Sequence, residues 1–243
     1  YKRQLLRIKN LHRVTLVDES FYEYAAREKR SEYEKLKFVP DPAELQGDKT
    51  KEQCRRDLGV STDKFVVLVY GSLTPRKGIQ ELLGAMKTLD TENITFLLAG
   101  RADDRINELL NVPEFKRYIG QKKLLVRKWF HDHEEEYLVF SASDVVWTCY
   151  VGPFFGSSGV FYQAGALGLP VIVNRHGLLS WLVKRHDNGL TCDPADPHSI
   201  NDALLQLKTN SELYKKLGQN GRQLSEKHTG SSFGELVCQS MKL

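Results

Sequence analysis

The sequence predicts an α/β protein organised around a doubly wound parallel sheet of about six strands. Short apolar runs alternate with stretches of helical periodicity, which is the pattern of successive strand–helix units. The runs are apolar throughout rather than at every second residue, as strands covered by helices on both faces are. Turns that contain glycine or proline separate many of these segments. The predicted strands are FVVLVYG, ITFLLAG, LLVRKW, DVVWTCY, PVIVN and GLTCD.

The amphipathic segments between and after these strands predict a series of helices. After residue 193 the pattern is helical to the end of the chain. The predicted helices cover residues 79–89, 104–110, 132–140, 158–167, 178–184, 197–208, 211–227 and 232–241.

The segment before the first of these strands predicts a separate small unit. It has a helix over 1–11, strands at 13–17 and 36–39, and a helix from a cap at Asp18 or Ser20 through about Lys29. The PDP turn at 40–42 closes it, and the polar stretch that follows suggests a domain boundary. A short helix over 51–58, ended by Gly59, leads into the sheet.

Length and composition limit the class of protein. The chain has 243 residues, of which 41% are hydrophobic and 27% charged, as in a soluble globular protein of one large domain or one domain plus part of a second. No apolar run approaches the ~20 residues needed to span a bilayer. Because the chain begins with Tyr1 rather than Met, we expect the natural N-terminus to lie upstream.

The net charge and the cysteines argue against several kinds of binding partner and site. The net charge is only +4, and the basic opening stretch 1–13 has no interleaved aromatic residues, so we expect no nucleic acid. The sequence is compatible with a peripheral membrane contact, but no particular residue supports one. The four cysteines are scattered without CxxC spacing, which argues for a reducing, cytoplasmic location and against disulfides or a zinc site. They are Cys54, Cys149, Cys192 and Cys238.

The strongest functional signal is a bend of small residues before a predicted helix. Gly156, Ser157, Ser158 and Gly159 leave room for a ligand to contact backbone, and the N–H groups of the helix over 158–167 then point at that ligand. The arrangement predicts a site for a diphosphate. An ordinary turn, with serines capping a core helix, is the alternative.

A second signal is the turn GSLTPRKG after the first sheet strand. Gly71 ends the strand, and Gly78 lets the next helix start close to the sheet. Lys77 falls in the first turn of that helix, where a cation is unfavourable unless an anion is held nearby. Lys77 and Arg76 are therefore the candidate phosphate clamp and the candidate charge stabilisers of a reaction. A solvent-exposed basic turn explains the same residues equally well.

Two further groups of side chains are ambiguous. The HDHEEE stretch at 131–136 resembles a metal cluster, but a cap at residue 132 or 133 followed by favourable acidic residues explains it better. Trp129 and Phe130 end a strand, where they either contact a nucleobase or fill the core. No Walker A, G-x-G-x-x-G or G-x-S-x-G pattern is present.

Four motifs in order resemble one enzyme family over residues 64–207. They are GSLTPRKG, SASDVVW around Asp144, QAGALGLPVI from Gln163 to Ile172, and NGLTCDPADP from Asn188 to Pro197. Together they resemble the C-terminal, Rossmann-like half of the retaining GT-B glycosyltransferases of family 4. The resemblance implies a nucleoside-diphosphate sugar as donor substrate, transfer with retention, and no metal or other cofactor.

The resemblance also implies roles for individual residues. The family's lysine that contacts the donor diphosphate is Lys77 here, whereas its neighbouring arginine is replaced by Ser72. The glutamate that holds the donor ribose is replaced by Gln163, and the glutamate that contacts the sugar ring by Phe155. An amide still accepts from and donates to a diol, so we expect ribose binding to survive.

The same resemblance implies a domain organisation. Residues 1–42 would be the remnant of an N-terminal acceptor domain with its linker, 43–210 the nucleotide-sugar domain, and 211–243 helices that can cross back. A donor half lacking its acceptor half is expected to be inactive alone. A catalytically degenerate binding or interaction module is the alternative, and a GT-B epimerase is disfavoured because the NGL-x-x-x-P-x-D-P element suits family 4 better.

Overall fold

The structure is a computed structural model that describes residues 2–89, 93–128, 133–152, 154 and 156–241. Its strands are β1 (Val14–Leu16), β2 (Leu36–Phe38), β3 (Phe65–Tyr70), β4 (Ile94–Gly100), β5 (Leu124–Lys128), β6 (Val145–Trp147), β7 (Val171–Asn174) and β8 (Gly189–Cys192). Its α-helices are α1 (Lys2–Leu6), α2 (Glu19–Glu28), α3 (Lys51–Leu58), α4 (Ile79–Ala85), α5 (Asp104–Leu110), α6 (Pro113–Gly120), α7 (His133–Ser141), α8 (Gly159–Ala166), α9 (Gly177–His186), α10 (Pro197–Thr209), α11 (Ser211–Ser225) and α12 (Gly230–Met241).

The main sheet confirms the predicted fold class. Six strands lie in the order β5-β4-β3-β6-β7-β8, and every neighbouring pair is parallel. The order reverses between β3 and β6, so the carboxyl ends of these two central strands form the switch point of the sheet. In open α/β sheets, ligands bind in the crevice at this point.

Side chains of β3 show why the sheet needs helices on both faces. Val67 and Val69 pack with residues of α4 and α10, whereas Val66 and Leu68 pack with residues of α7, α8 and α9. All four valine and leucine side chains are fully buried. The continuous apolar run in the sequence is therefore two alternating faces, each covered by its own layer of helices.

The N-terminal segment forms its own small sheet and core. Strands β1 and β2 pair in parallel, and a cluster of buried side chains joins them to α1 and α2. Two polar contacts then connect α2 to the end of α9: an ion pair of Arg185 with Glu23 at 2.8 Å, and a hydrogen bond between His186 and Glu19 at 3.4 Å. The predicted domain boundaries at 42/43 and 210/211 stay predictions.

Helix α11 packs very closely on α8. A Cβ atom added at Gly165 would lie 2.7 Å from the carbonyl oxygen of Gly221, which is closer than real Cβ atoms come to backbone. Ser225 in turn donates to the carbonyl oxygen of Tyr162 at 3.0 Å. Glycine at both positions lets the two backbones approach, and this contact fixes the helix that follows the GSSG bend.

Several boundaries differ from the sequence prediction. Helix α4 ends at Ala85 rather than at residue 89, and β6 covers three residues of DVVWTCY. Helix α6 has no counterpart among the predicted helices, although Pro113 at its first turn and Glu114 beside it are typical start signals. No helix in the described part of the chain is both long enough and apolar enough to cross a membrane.

Candidate functional site

The turn after β3 differs from the prediction in one respect. Lys77 does not lie in the first turn of α4 but ends a short 3-10 turn, Pro75–Lys77, which Gly78 separates from the helix. Gly78 has φ +63°, and a Cβ there would lie 2.8 Å from the carbonyl oxygen of Cys149. The indole of Trp147 donates to the Lys77 carbonyl at 2.8 Å, so the lysine backbone is anchored to β6.

The Lys77 side chain is buried, with 7% of its surface exposed. Its Nζ atom lies 3.5 Å from the Tyr150 hydroxyl and 5.2 Å from the centre of that ring. Burial, and after it the charge of Arg76, lowers the pKa of Lys77 to about 8. Among the described residues no carboxylate lies within ion-pair distance of this amine. Lys77 is thus a desolvated cation that no described carboxylate neutralises by a direct ion pair.

Tyr150 connects Lys77 to the GSSG bend. Its hydroxyl lies 2.8 Å from the Ser158 hydroxyl, which is also buried. Ser158 is the N-cap residue of α8, but its side chain makes no capping hydrogen bond. The first N–H groups of α8 are therefore not satisfied by that side chain. The structure thus brings together the crossover lysine and the helix N-terminus that the sequence indicates as two separate signals.

The remaining residues of the bend differ in exposure. Gly156 is exposed, and Gly159 is half-buried. Ser157 has a buried hydroxyl without a hydrogen bond of good geometry, although that hydroxyl acts to lower the pKa of both Asp41 and Tyr162. Burial is the larger effect at both residues, so the pKa of Asp41 and the pKa of Tyr162 are nonetheless raised.

Arg76 is placed differently from Lys77. Its guanidinium lies 4.9 Å from the centre of the Phe154 ring and 5.6 Å from that of Tyr150, and the two rings are 4.1 Å apart. The side chain is exposed, as is that of Ser72. Gly71 is close to the lysine, since a Cβ there would lie 3.7 Å from Lys77 Nζ. The Arg76 guanidinium therefore lies at the surface, over the tilted ring pair of Tyr150 and Phe154, next to the buried Lys77.

Gln163 is hydrogen-bonded to an acidic side chain from another helix. Its Nε2 atom donates to Glu136 Oε1 at 2.7 Å, which links α8 to α7. From the sequence, Glu136 is only a favourable residue near a helix start, and Tyr150 is not among the predicted site residues. The position of Tyr150 at the end of the predicted strand DVVWTCY was the signal available for it. Nothing local in the sequence indicates the contact with Glu136.

A cavity of about 550 Å³ lies beside the same loop. Tyr150 and Phe154 line it together with Arg175, His176 and Asp193 from the loops after β7 and β8. The predicted base-contacting residues Trp129 and Phe130 lie outside the described residues. So do Phe155 and the first two residues of the HDHEEE stretch.

Chemically, the arrangement can hold an oxyanion. A buried ammonium, two hydroxyls and the positive end of a helix dipole converge where the central strands end. A family model described as glycosyl transferases group 1 matches residues 50–224, which is most of the chain. The chain belongs to this family. The residues of the candidate site that lie within the range matched by the group 1 family model include Lys77, Tyr150, Ser158 and Gln163.

Known relatives agree with this membership. An uncharacterised glycosyltransferase of Methanocaldococcus jannaschii is 32% identical over 147 residues, a match that covers 60% of this chain and 36% of that protein. The chain therefore spans well under half the length of that relative. Sucrose-phosphate synthase from Thermosynechococcus elongatus superimposes with a TM-score of 0.75 at 24% identity, covering 98% of this chain and 59% of the synthase.

A second solved structure is of the Anabaena protein HepE in complex with UDP. It superimposes with a TM-score of 0.74 at 18% identity, covering 99% of this chain and 68% of HepE. At this identity the likeness shows the fold alone. The fold of this member of the group 1 family matches solved GT-B structures, and its sequence relatives are glycosyltransferases.

Proposed function

We propose that the chain is the donor-binding half of a retaining glycosyltransferase and that it binds a nucleoside-diphosphate sugar. The observation that carries the proposal is the continuous path from Lys77 through the Tyr150 hydroxyl to Ser158 at the start of α8. A buried lysine with no carboxylate beside it in the described structure is costly unless an anion binds there. A diphosphate between the amine and the helix N-terminus would supply that anion.

Each part of the site has a proposed role. Lys77 would hold the diphosphate and stabilise its charge as the sugar leaves, and Arg76 would add a second cation from the rim. The backbone of Gly71–Ser72 and of 156–159 would contact phosphate oxygens. Gln163 would contact the ribose, and Trp129 and Phe130 the base. These contacts require no metal, and we propose transfer of a hexosyl group with retention.

Ligands found in solved relatives support the choice of donor. The Anabaena protein HepE has been solved in complex with UDP and with UDP-glucose. We therefore propose a UDP-sugar as the first donor to test. We also propose that residues 1–42 belong with an acceptor domain, that 43–210 bind the donor and that 211–243 cross back. The chain alone would then bind without transferring.

A degenerate binding module is the second candidate. Two residue identities favour it: Phe155 and Gln163 stand where the resembled family has glutamates. A module of this kind would bind the nucleotide and serve assembly or regulation. We further propose a cytoplasmic location, which the four free cysteines support.

Calorimetric titration of the chain with UDP, GDP and ADP tests the proposed function. At least one nucleotide should bind, and Lys77→Ala should weaken it roughly 10- to 100-fold, as expected for a lost charge-assisted contact. Lys87→Ala is the matched control, because Lys87 lies just after α4 and pairs with Glu114 instead of facing the site. Equal binding by both variants, or no binding of any nucleotide, would contradict the proposal.

A further inference from the structure

The pair formed by Glu136 and Gln163 differs from the other acidic contacts of α7. Glu134 is exposed, and Glu135 makes a half-exposed ion pair with Arg127 at 3.2 Å. The Glu136 side chain, in contrast, is only 14% exposed and accepts from the Gln163 amide at 2.7 Å. A carboxylate has about four lone-pair sites, so one that accepts from the Gln163 amide, and has Tyr70 and His133 beside it, can still accept from a further donor.

The surroundings of Glu136 connect it to the Lys77 site. Burial, and after it the hydrogen bond and charge of Glu136, raises the pKa of the Tyr70 hydroxyl, so Tyr70 lies against the carboxylate. Tyr70 directly precedes Gly71, which borders Lys77 Nζ. His133, one turn earlier on α7, has its Nδ1 atom 3.7 Å from Glu136. The carboxylate–amide pair and the buried ammonium therefore lie at the same end of β3.

The spacing along α8 matches the span of a nucleotide. Gln163 is four residues after Gly159, the first residue of the helix. With a rise of 1.5 Å per residue, its amide lies about 6 Å along the axis from the helix N-terminus. That is close to the separation between the first phosphate and the ribose hydroxyls of a nucleoside diphosphate.

Glu136 and Gln163 together present two acceptors side by side. The bond between them uses Gln163 Nε2 and Glu136 Oε1. The acceptors for a ligand are then Gln163 Oε1 and the lone pairs of the Glu136 carboxylate that Tyr70 and His133, which also contact it, do not use. Two neighbouring acceptors, one of them charged, match the two hydroxyl donors of a vicinal diol. The amide orientation follows from this hydrogen bond, because a carboxylate cannot donate to the amide oxygen.

We propose that Glu136 supplies the carboxylate of a ribose-recognition pair with Gln163, so that the acid for the ribose diol comes from α7 instead of α8. The inference rests on the proposed nucleotide site and deepens it. Gln163 then positions the carboxylate and contributes its own carbonyl. The consequence is a preference for ribonucleotides over 2′-deoxyribonucleotides that depends on residue 136.

The test measures that preference by titrating the 243-residue chain with UDP, GDP and ADP and with their 2′-deoxy counterparts. For whichever base binds, we expect roughly tenfold tighter binding of the ribo form. Glu136→Gln should reduce this ratio to about threefold or less, because it removes the charge without changing the size. Glu135→Gln is the control and should leave the ratio unchanged.

The outcomes separate this inference from the proposed function. Lys77→Ala should weaken ribo and deoxy forms equally, since it acts on the diphosphate. If a nucleotide binds and the ratio is the same in Glu136→Gln as in the original chain, the ribose pair is wrong while the diphosphate site stands. A Glu136→Gln variant that loses affinity equally for both forms shows a merely structural role and also overturns the inference. No binding of any nucleotide overturns both proposals.

Discussion

Replacing Lys77 by methionine should stabilise the chain in the absence of ligand. Burial lowers the pKa of this lysine from its ordinary value of 10.5 to about 8. At about 1.36 kcal/mol for each unit, the charged form costs the folded state about 3 kcal/mol. Methionine keeps much of the side-chain volume but loses the contact with Tyr150, worth about 1 kcal/mol. The expected net gain in the free energy of unfolding is about 2 kcal/mol at pH 7.

The pH dependence gives this prediction a definite sign. The folded pKa of Lys77 is lower than the unfolded one, so between about pH 8 and 10.5 the unfolded chain binds more protons than the folded chain. The stability of the original chain should therefore rise through that range relative to Lys77→Met. Below pH 8 the penalty is fully present, and the advantage of the variant is largest.

Urea unfolding followed by circular dichroism at pH 7 and pH 9.5 measures both effects. The difference in unfolding free energy between the two proteins should be largest at pH 7 and should shrink at pH 9.5. A variant that is less stable than the original, by the same amount at both values, would refute the reasoning. That result would mean that groups of the folded chain already stabilise the charge of the Lys77 ammonium, so that no bound anion is needed to do so.

Three further predictions address the site and its support. Binding of UDP should weaken above about pH 8 as Lys77 loses its proton, and calorimetry near pH 8 in buffers of different ionisation enthalpy should detect proton uptake on binding. Gly165→Ala should lower the free energy of unfolding by about 1–3 kcal/mol, because α11 leaves no room for the added methyl group. Gly84→Ala is the control: open space surrounds that position, so urea denaturation should show a rise of about 0.5–1 kcal/mol. By the same assay, Asp144→Asn should lower the free energy of unfolding by about 3 kcal/mol, because Arg55 then stays buried without its counter-charge. A decrease of less than about 0.5 kcal/mol would contradict this prediction.

Much of the fold could be predicted from sequence because its signals are local. The buried strands are continuous apolar runs, and the predicted bounds of β4, α3 and α5 agree with the structure. The GSSG bend and the GSLTPRKG turn stand out since glycine, serine and proline mark places where the backbone must turn. The rule that ligands bind at the carboxyl ends of parallel strands then places both turns at one edge.

The contacts that complete the candidate site could not be predicted in this way. Glu136 and Gln163 are 27 residues apart, and their hydrogen bond exists only because α7 and α8 pack on the same face of the sheet. The position of Lys77 depends on Trp147, which holds its backbone carbonyl, and on Tyr150, which contacts its amine. The sequence shows both only as members of an apolar strand. Local patterns therefore locate the two turns, whereas the chemistry between them is set by tertiary packing.

The most direct test of the central claim is a crystal structure of the chain with UDP. We predict that diphosphate oxygens lie within hydrogen-bond distance of both Lys77 Nζ and the backbone N–H of Gly159. We expect as well that Tyr150 and Ser158 remain next to the phosphates. A nucleotide bound instead in the cavity beside Arg175 and His176, with Lys77 still in contact only with Tyr150, would contradict the claim.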